Sequence, residues 1–195
     1  FYSPAARIAL TNFFRRANSF GMFDNDTVLI GGAEIARRVE ELGAEISAWV
    51  ASRGVSLVVV WLAEGAVYFA ADLTRKIACK SMRIHSLKVS SYGDGRTPLH
   101  EPRVVGGLPD VAGADVLLID DILDTGHTYE TVSGMLLRAG AASVRGCFLL
   151  DKRTGVSKKV SGDFVGFSVD DVFVYGYGLD VGGLGRNVPD IMAAK

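Results

Sequence analysis

The chain is 195 residues long and 49% hydrophobic, with 21 basic and 22 acidic residues. That length and apolar content predict one globular domain with a full core. The formal net charge of −1 argues against nucleic acid or an anionic membrane surface as the partner, and no apolar run approaches the roughly 20 residues of a membrane span. We therefore expect a small-molecule ligand.

The two cysteines and the N-terminal segment carry weaker signals. Cys79 and Cys147 lie in apolar-rich sequence without metal-ligand spacing, which predicts buried free thiols in a reducing compartment and hence a cytoplasmic protein. Residues 1–27 form a predicted N-terminal extension, with three arginines and no acid before Asp24. Two interpretations of this extension stay open: an amphipathic targeting segment, or a helix packed on the body of the protein, which we favour.

Helical and strand patterns alternate along the rest of the chain, residues 28–195. Helical spacing of apolar residues predicts helices over 34–50, 66–77 and 128–139, the last closed by Gly140. Apolar runs of strand length predict strands over 55–63, 82–91, 115–120, 143–151 and 173–178. This alternation predicts an α/β fold with a mostly parallel central sheet and helices on both faces.

Residues 91–113 interrupt this alternation. They are rich in Gly and Pro and too long for a simple connection. A structureless stretch of that length is usually a lid or a linker. No second domain follows for a linker to join, so we predict a lid.

Polar clusters follow several of the predicted strands. Ala63, Glu64 and Gly65 follow one strand, Asp120 and Asp121 end another, and Asp151 and Lys152 end a third. Because ligands of parallel sheets bind at the carboxyl ends of the strands, we expect these clusters to form one site.

The stretch VLLIDDILDTGHT, residues 116–128, carries the most specific signal. Carboxylates at the end of a buried strand are costly unless something pairs with them. Asp120 and Asp121 therefore require hydroxyl donors, such as the two neighbouring hydroxyls of a ribose, or a metal ion such as Mg²⁺.

The residues after this acid pair favour an anion instead. Thr125 and Thr128 offer hydroxyl donors, Gly126 lets N–H groups converge, and the following helix directs its positive end at the turn. A phosphorylated sugar would satisfy both halves of the motif. The alternative is that Asp124 caps the helix and that the acid pair is a solvated strand end.

This stretch closely resembles the signature with which type I phosphoribosyltransferases bind 5-phosphoribosyl 1-pyrophosphate (PRPP). Other motifs follow in the family's order from about residue 28 to the end, which narrows the resemblance to the hypoxanthine-guanine branch. The resemblance implies the fold of that family, with a small hood formed by N- and C-terminal segments. It also implies a purine-binding hood over about 152–195 and a flexible loop over about 91–113.

The resemblance also implies roles for the residues of the central motif. Asp120 and Asp121 would contact the ribose hydroxyls, directly or through Mg²⁺. Asp124 would lie next to purine N7 and act as the catalytic acid/base. The turn that would hold the 5′-phosphate consists of Asp124, Thr125, Gly126, His127 and Thr128.

The purine would be recognised by residues that follow later strands. Lys152 resembles the residue that reads the base; an ammonium only donates hydrogen bonds, so it favours a 6-oxopurine over adenine. In FVYGYGLD, Phe173 would stack on the base and Val174 would read its edge through backbone groups. The alternatives are a solvated surface lysine and a phenylalanine that belongs to the core.

The remaining implied roles concern pyrophosphate, metal and the loop. Gly65 and Arg186 would hold pyrophosphate, the latter by charge-assisted hydrogen bonds. Glu64 of the same loop stands where the family commonly has lysine. Either its side chain points away while backbone amides bind the pyrophosphate, or the affinity for pyrophosphate is altered. We favour the first alternative. Asp180 would bind Mg²⁺. The start of the flexible loop consists of Ser90, Ser91 and Tyr92.

These implied roles predict a Mg²⁺-dependent enzyme of purine salvage. It would join hypoxanthine or guanine to PRPP, giving IMP or GMP and pyrophosphate, and it would assemble as a homodimer or homotetramer without nucleic acid or membrane partners. Two alternatives stay open: the same reaction with xanthine preferred, and a non-catalytic sensor of PRPP or nucleotide with the same fold.

Overall fold

The computed structural model describes residues 26–92, 98–153, 155, 158 and 160–193, without the side chains of residues 90–103. Residues 1–25 of the N-terminal extension and 93–97 of the predicted lid lie outside the described residues. The helices are α1 (Gly32–Arg53), α2 (Val67–Thr74) and α3 (His127–Arg138). The strands are β1 (Thr27–Ile30), β2 (Leu57–Ala63), β3 (Met82–Tyr92), β4 (Pro98–Val105), β5 (Asp115–Leu123), β6 (Ser143–Arg153), β7 (Phe164–Asp170), β8 (Val174–Tyr175) and β9 (Ile191–Ala193).

The strands form two sheets. The six-stranded sheet has the order β4-β3-β2-β5-β6-β7, and its neighbours are parallel except for the antiparallel pair β3 and β4. The smaller sheet has the order β1-β9-β8 and is antiparallel. The predicted mostly parallel sheet is confirmed, and so is a hood that combines N- and C-terminal segments.

The core lies on both faces of the large sheet, as the alternating side chains of β2 demonstrate. Leu57 and Val59 pack in the cluster that contains α1 and α2, whereas Val58 and Val60 pack in the cluster that contains α3. All four residues are 0% exposed. Burial on both faces explains why this strand is a continuous apolar run and confirms helices on both faces.

Several predicted elements differ from the structure. The strand predicted over 173–178 is limited to Val174–Tyr175, because Gly176 and Gly178 have positive φ angles of 97° and 103° that end the extended backbone. The segment predicted as a structureless lid contains β4, which pairs with β3. Strands β1, β7 and β9 were not predicted.

The two cysteines were predicted to be buried free thiols. Both are free; Cys147 is buried as predicted, but Cys79 is only half-buried.

None of the helices that the structure describes combines the length and apolar character that a membrane crossing requires.

The amino end of β5 is fixed by a buried acid, Asp115, which is 2% exposed. Its carboxylate accepts hydrogen bonds from Arg53 Nε at 2.9 Å and from Ser143 Oγ at 2.5 Å. The hydrogen bond from Arg53 lowers the pKa of Asp115, and the bond from Ser143 acts in the same direction against the effect of burial. This acid is a satisfied structural residue, unlike the two at the opposite end of the strand.

Candidate active site

The candidate site lies at the carboxyl ends of β2, β5 and β6. The end of β5 and the turn into α3 enclose a pocket with about 260 Å³ of empty space that is open to solvent. Its walls combine the acid end of the strand, the turn and two aromatic rings. The lining residues are Asp120, Ile122, Leu123, Asp124, Thr125, Gly126, His127, Thr128, Tyr129 and Phe148. The structure thus brings together most of the motif residues predicted from the sequence.

The acid pair Asp120 and Asp121 is half-buried. Each carboxylate accepts a backbone N–H from the next residue, Asp121 to Asp120 at 3.0 Å and Ile122 to Asp121 at 2.8 Å. Burial, together with repulsion from Asp121, raises the pKa of Asp120 well above its usual range. Burial also raises the pKa of Asp121, although Arg186 opposes this shift. A diol or a cation at this position would offset the cost of the two charges.

The turn after the acid pair has a backbone geometry that suits an anion, and within it the N–H of His127 makes a long hydrogen bond of 3.4 Å to Thr125 Oγ1. Gly126 has a φ of 84° and is the N-cap of α3, with no side-chain hydrogen bond to the cap. This excludes the alternative in which Asp124 caps the helix; Asp124 and Thr125 are exposed instead. Since the first N–H groups of a helix have no intrahelical partner, the turn presents donors together with the positive end of the helix dipole.

The pyrophosphate candidate Arg186 is held by several oxygens. Its guanidinium donates to the carbonyl of Gly178 at 2.6 Å and pairs with Asp180 at 2.7 Å. The carboxylate of Glu64 is two-thirds exposed and lies 3.9 Å from the same guanidinium. A bound anion would therefore share Arg186 with these two acids.

The three purine candidates differ in their exposure to solvent. The side chain of Lys152 is only 14% exposed and its ammonium lies 3.7 Å from Asp171, so it is not a solvated surface lysine. Phe173 is 56% exposed, so its ring is not part of the core. Val174 is 5% exposed and pairs with Ala193 in the antiparallel ladder of β8 and β9, so its side chain is buried.

The structure says less about the start of the predicted flexible loop and about the predicted metal ligands. Ser90, Ser91 and Tyr92 belong to the last part of β3, but their side chains lie outside the described part of the chain. Among the described residues, no three His, Cys, Asp or Glu side chains form a metal-binding group. Asp180 is therefore not joined with Asp120 and Asp121 into one cluster of acids.

The sequence patterns did not identify two residues that contact the turn. The ammonium of Lys158 donates to the carbonyl of Leu123 at 2.6 Å, and the side chain of Val160 lies against Gly126. Both residues belong to a short polar segment between β6 and β7, which has no periodicity and was predicted only as part of the hood. No sequence signal would have distinguished Lys158 from a surface lysine.

Comparison with known proteins agrees with this geometry. The phosphoribosyl transferase domain family matches residues 32–181. The hypoxanthine-guanine phosphoribosyltransferase of Aquifex aeolicus is 40% identical over 84% of this chain and 92% of its own. The hypoxanthine phosphoribosyltransferase of Haemophilus influenzae is 39% identical over 83% of this chain and 90% of its own.

A solved structure extends the agreement to the fold. The hypoxanthine phosphoribosyltransferase of Staphylococcus aureus superposes with a TM-score of 0.78 at 33% identity, covering 87% of this chain and 91% of that one. The chain therefore belongs to the phosphoribosyltransferase family, which the central motif predicted, and to its hypoxanthine-guanine branch, which the order of the other motifs predicted.

Proposed function

We propose that the protein transfers the phosphoribosyl group of PRPP to hypoxanthine or guanine, forming IMP or GMP and pyrophosphate. The observation that carries the proposal is the pocket in which Asp120 of the acid pair lies beside the turn formed by residues 124–128. Acids suit the ribose hydroxyls and the turn suits the 5′-phosphate. The names of the relatives support the same reaction.

Asp124 is the proposed acid/base. It is exposed and lines the pocket as the first residue of the turn that follows the acid pair. As purine N9 forms its bond to the anomeric carbon, the bond from that carbon to pyrophosphate breaks and the base becomes more acidic. Asp124 accepts the proton that leaves N7, which is general base catalysis by a carboxylate.

Lys152 and Phe173 are the proposed purine-binding residues. The ammonium of Lys152 donates to the 6-oxo group, and it meets the amino group of adenine donor against donor. The exposed ring of Phe173 stacks on the base. The ion pair of Lys152 with Asp171 is long at 3.7 Å, so the ammonium retains donor capacity for a ligand.

Mg²⁺ is the proposed cofactor, and the donor set fits it. The pair Asp120 and Asp121 and, apart from it, Asp180 supply only carboxylate oxygens, which are the protein ligands that Mg²⁺ prefers. Because Mg²⁺ commonly keeps waters and substrate phosphates in its coordination shell, one or two carboxylates are sufficient. When bound, the ion would neutralise charge on the pyrophosphate leaving group.

A panel of purines assayed with PRPP and Mg²⁺ tests the proposal. We expect turnover of hypoxanthine or guanine, little with adenine, and a fall of about 100-fold or more in kcat for Asp124→Ala. Faster turnover of xanthine would indicate the xanthine-preferring enzyme. Tight PRPP binding without turnover of any base would indicate a sensor and overturn the proposal.

Assembly and location are part of the same proposal. We infer a homodimer or homotetramer, which light scattering on the purified protein can test. A cytoplasmic location is supported by the two free cysteines, because free thiols persist in a reducing compartment.

A further inference from the structure

Lys158 has unusual contacts for a lysine in a polar connecting segment. Its side chain is 14% exposed. Its ammonium donates to the backbone carbonyl of Leu123 at 2.6 Å and forms a short hydrogen bond and ion pair with the carboxylate of Asp151. Both partners immediately precede site residues, since Leu123 is followed by Asp124 and Asp151 by Lys152.

These two partners mark the point where β5 and β6 separate. Leu123 and Asp151 form the last paired position of the parallel ladder between the two strands. Beyond this pair, β5 is followed by the turn of residues 124–128 and α3, while β6 continues through Lys152 to Arg153. The ammonium of Lys158 bridges the two strands at their point of divergence and satisfies a strand-end carbonyl.

A second contact joins the same segment to the turn. A β-carbon built on Gly126 would come within 2.1 Å of Val160 Cγ2, so the valine side chain lies directly on the glycine of the turn. The segment that carries Lys158 and Val160 therefore contacts the last residue of β5, Leu123, just before the turn, and Gly126 at the N-cap of α3.

We propose that Lys158 is a positioning residue. It fixes the turn of residues 124–128, the proposed phosphate site, relative to the end of β6, which carries the proposed purine-binding residue Lys152. The inference rests on the proposed function. A nucleotide spans two halves of the site, the turn that holds its phosphate and the end of β6 that contacts its purine. Its binding therefore depends on the distance between these two halves. A ligand that occupies one half alone does not depend on that distance.

Ligands that occupy one half or both halves of the site test this role. Calorimetry would measure the affinity of the wild type and of Lys158→Met for ribose 5-phosphate, guanosine and GMP. We expect GMP affinity to fall at least about tenfold, with much smaller changes for the other two ligands. Lys158→Arg, which can still donate to both oxygens, should restore GMP binding in large part.

Other outcomes would overturn the proposal. Equal losses for ribose 5-phosphate and GMP would make Lys158 a direct phosphate ligand. A fall in Tm with all three affinities unchanged would make it a structural residue only. If Lys158→Met does not fold, the double variant Asp151→Asn/Lys158→Met removes the unpaired charge and permits the same comparison.

A matched control and the wild-type assay complete the design. Lys76→Met removes an exposed ion pair, 2.6 Å from Glu40, and should leave all three affinities unchanged. Wild-type turnover of hypoxanthine with PRPP reports on the proposed function separately, so the failure of one idea is distinguishable from the failure of the other.

Discussion

The backbone of Gly65 lies directly against the carboxylate of Asp121: a β-carbon built on Gly65 would come within 1.6 Å of Asp121 Oδ2. On its other side, a β-carbon built on Gly178 would come within 2.1 Å of the carbonyl oxygen of Gly65. The loop after β2, the acid end of β5 and the hood thus meet with no room for side chains. Gly65 is required for its small size, and Gly178 also for its φ of 103°.

Gly65→Ala should displace Asp121 or the loop after β2. Because a misplacement of about 1 Å in a site can cost about 100-fold in rate, we expect a loss of that order in kcat/KM for PRPP. Gly134→Ala is the control: its β-carbon would meet only the end of the flexible Arg138 side chain, at 3.3 Å. It should leave turnover unchanged and stabilise α3 by up to about 1 kcal/mol. Full activity of Gly65→Ala would contradict the proposed convergence.

Asp120→Asn should separate stability from activity. Burial and the neighbouring acid raise the pKa of Asp120, so the folded state binds a proton more tightly than the unfolded state does. The free energy of unfolding of the ligand-free wild type should therefore fall as pH rises from the usual carboxyl pKa through the raised one. The variant lacks this part of the pH dependence.

The measurements for Asp120→Asn are urea unfolding against pH and turnover near neutral pH. Without ligands, we expect a free energy of unfolding equal to or higher than that of the wild type, and a loss of about 100-fold in kcat/KM. Asp110→Asn changes an acid whose side chain is 76% exposed and should alter neither quantity. A lower free energy of unfolding for Asp120→Asn with normal turnover would make Asp120 a structural acid.

The sequence predicted those strands and helices whose burial in the core requires a recognisable pattern of apolar residues. In β5 the four residues from Val116 to Ile119 are buried and form a continuous apolar run, which is typical of a strand covered on both faces. Strand β4 was missed because it contains Pro98 and Pro102. It lies at the edge of the sheet, where proline is tolerated because one side of the strand has no partner.

In the candidate site, too, some features could be predicted from the local sequence and others could not. The acid pair and the turn are adjacent in the chain, so a local motif was sufficient to predict them. The hydrogen bond from Lys158 to Leu123 joins residues 35 positions apart, and the contact of Gly65 with Asp121 joins two different strand ends. Such contacts depend on the register and order of the strands, which no local pattern contains.

Lys152→Gln should weaken the discrimination between purines. An amide has both a donor and an acceptor, so it can meet either the 6-oxo group or the amino group of adenine. We expect kcat/KM for hypoxanthine to fall about tenfold or more and the ratio of adenine to hypoxanthine turnover to rise. Initial rates with the two bases at saturating PRPP measure this ratio. An unchanged ratio would mean that Lys152 does not read the purine.

Asp115→Asn should destabilise the protein without a direct effect on the site. Its carboxylate is paired with Arg53 and Ser143, so we expect a loss of about 1–3 kcal/mol in the free energy of unfolding near neutral pH. The hydrogen bond from Arg53 lowers the pKa of Asp115. Its stabilising contribution is therefore present above the unfolded pKa of about 4 and is lost as pH falls through the folded pKa.

Urea unfolding over that pH range tests the prediction for Asp115. The difference between the wild type and Asp115→Asn should shrink below about pH 4. Ser143→Ala removes only a hydrogen bond from a neutral donor and leaves the ion pair of the same carboxylate with Arg53, so it should cost less and keep most of the pH dependence. A difference that is constant with pH would show that the ion pair contributes little.

Phe173→Ala should affect purine binding more than stability. The ring is 56% exposed, so its removal leaves little cavity, whereas stacking on a base contributes about 1–3 kcal/mol. We expect KM for hypoxanthine to rise about tenfold or more, with KM for PRPP nearly unchanged. Phe69→Ala is the contrast, because Phe69 is 0% exposed and its truncation should cost about 3–5 kcal/mol of stability. If Phe173→Ala instead lowered Tm as Phe69→Ala does and left KM for hypoxanthine unchanged, the ring would belong to the core and the base would bind elsewhere.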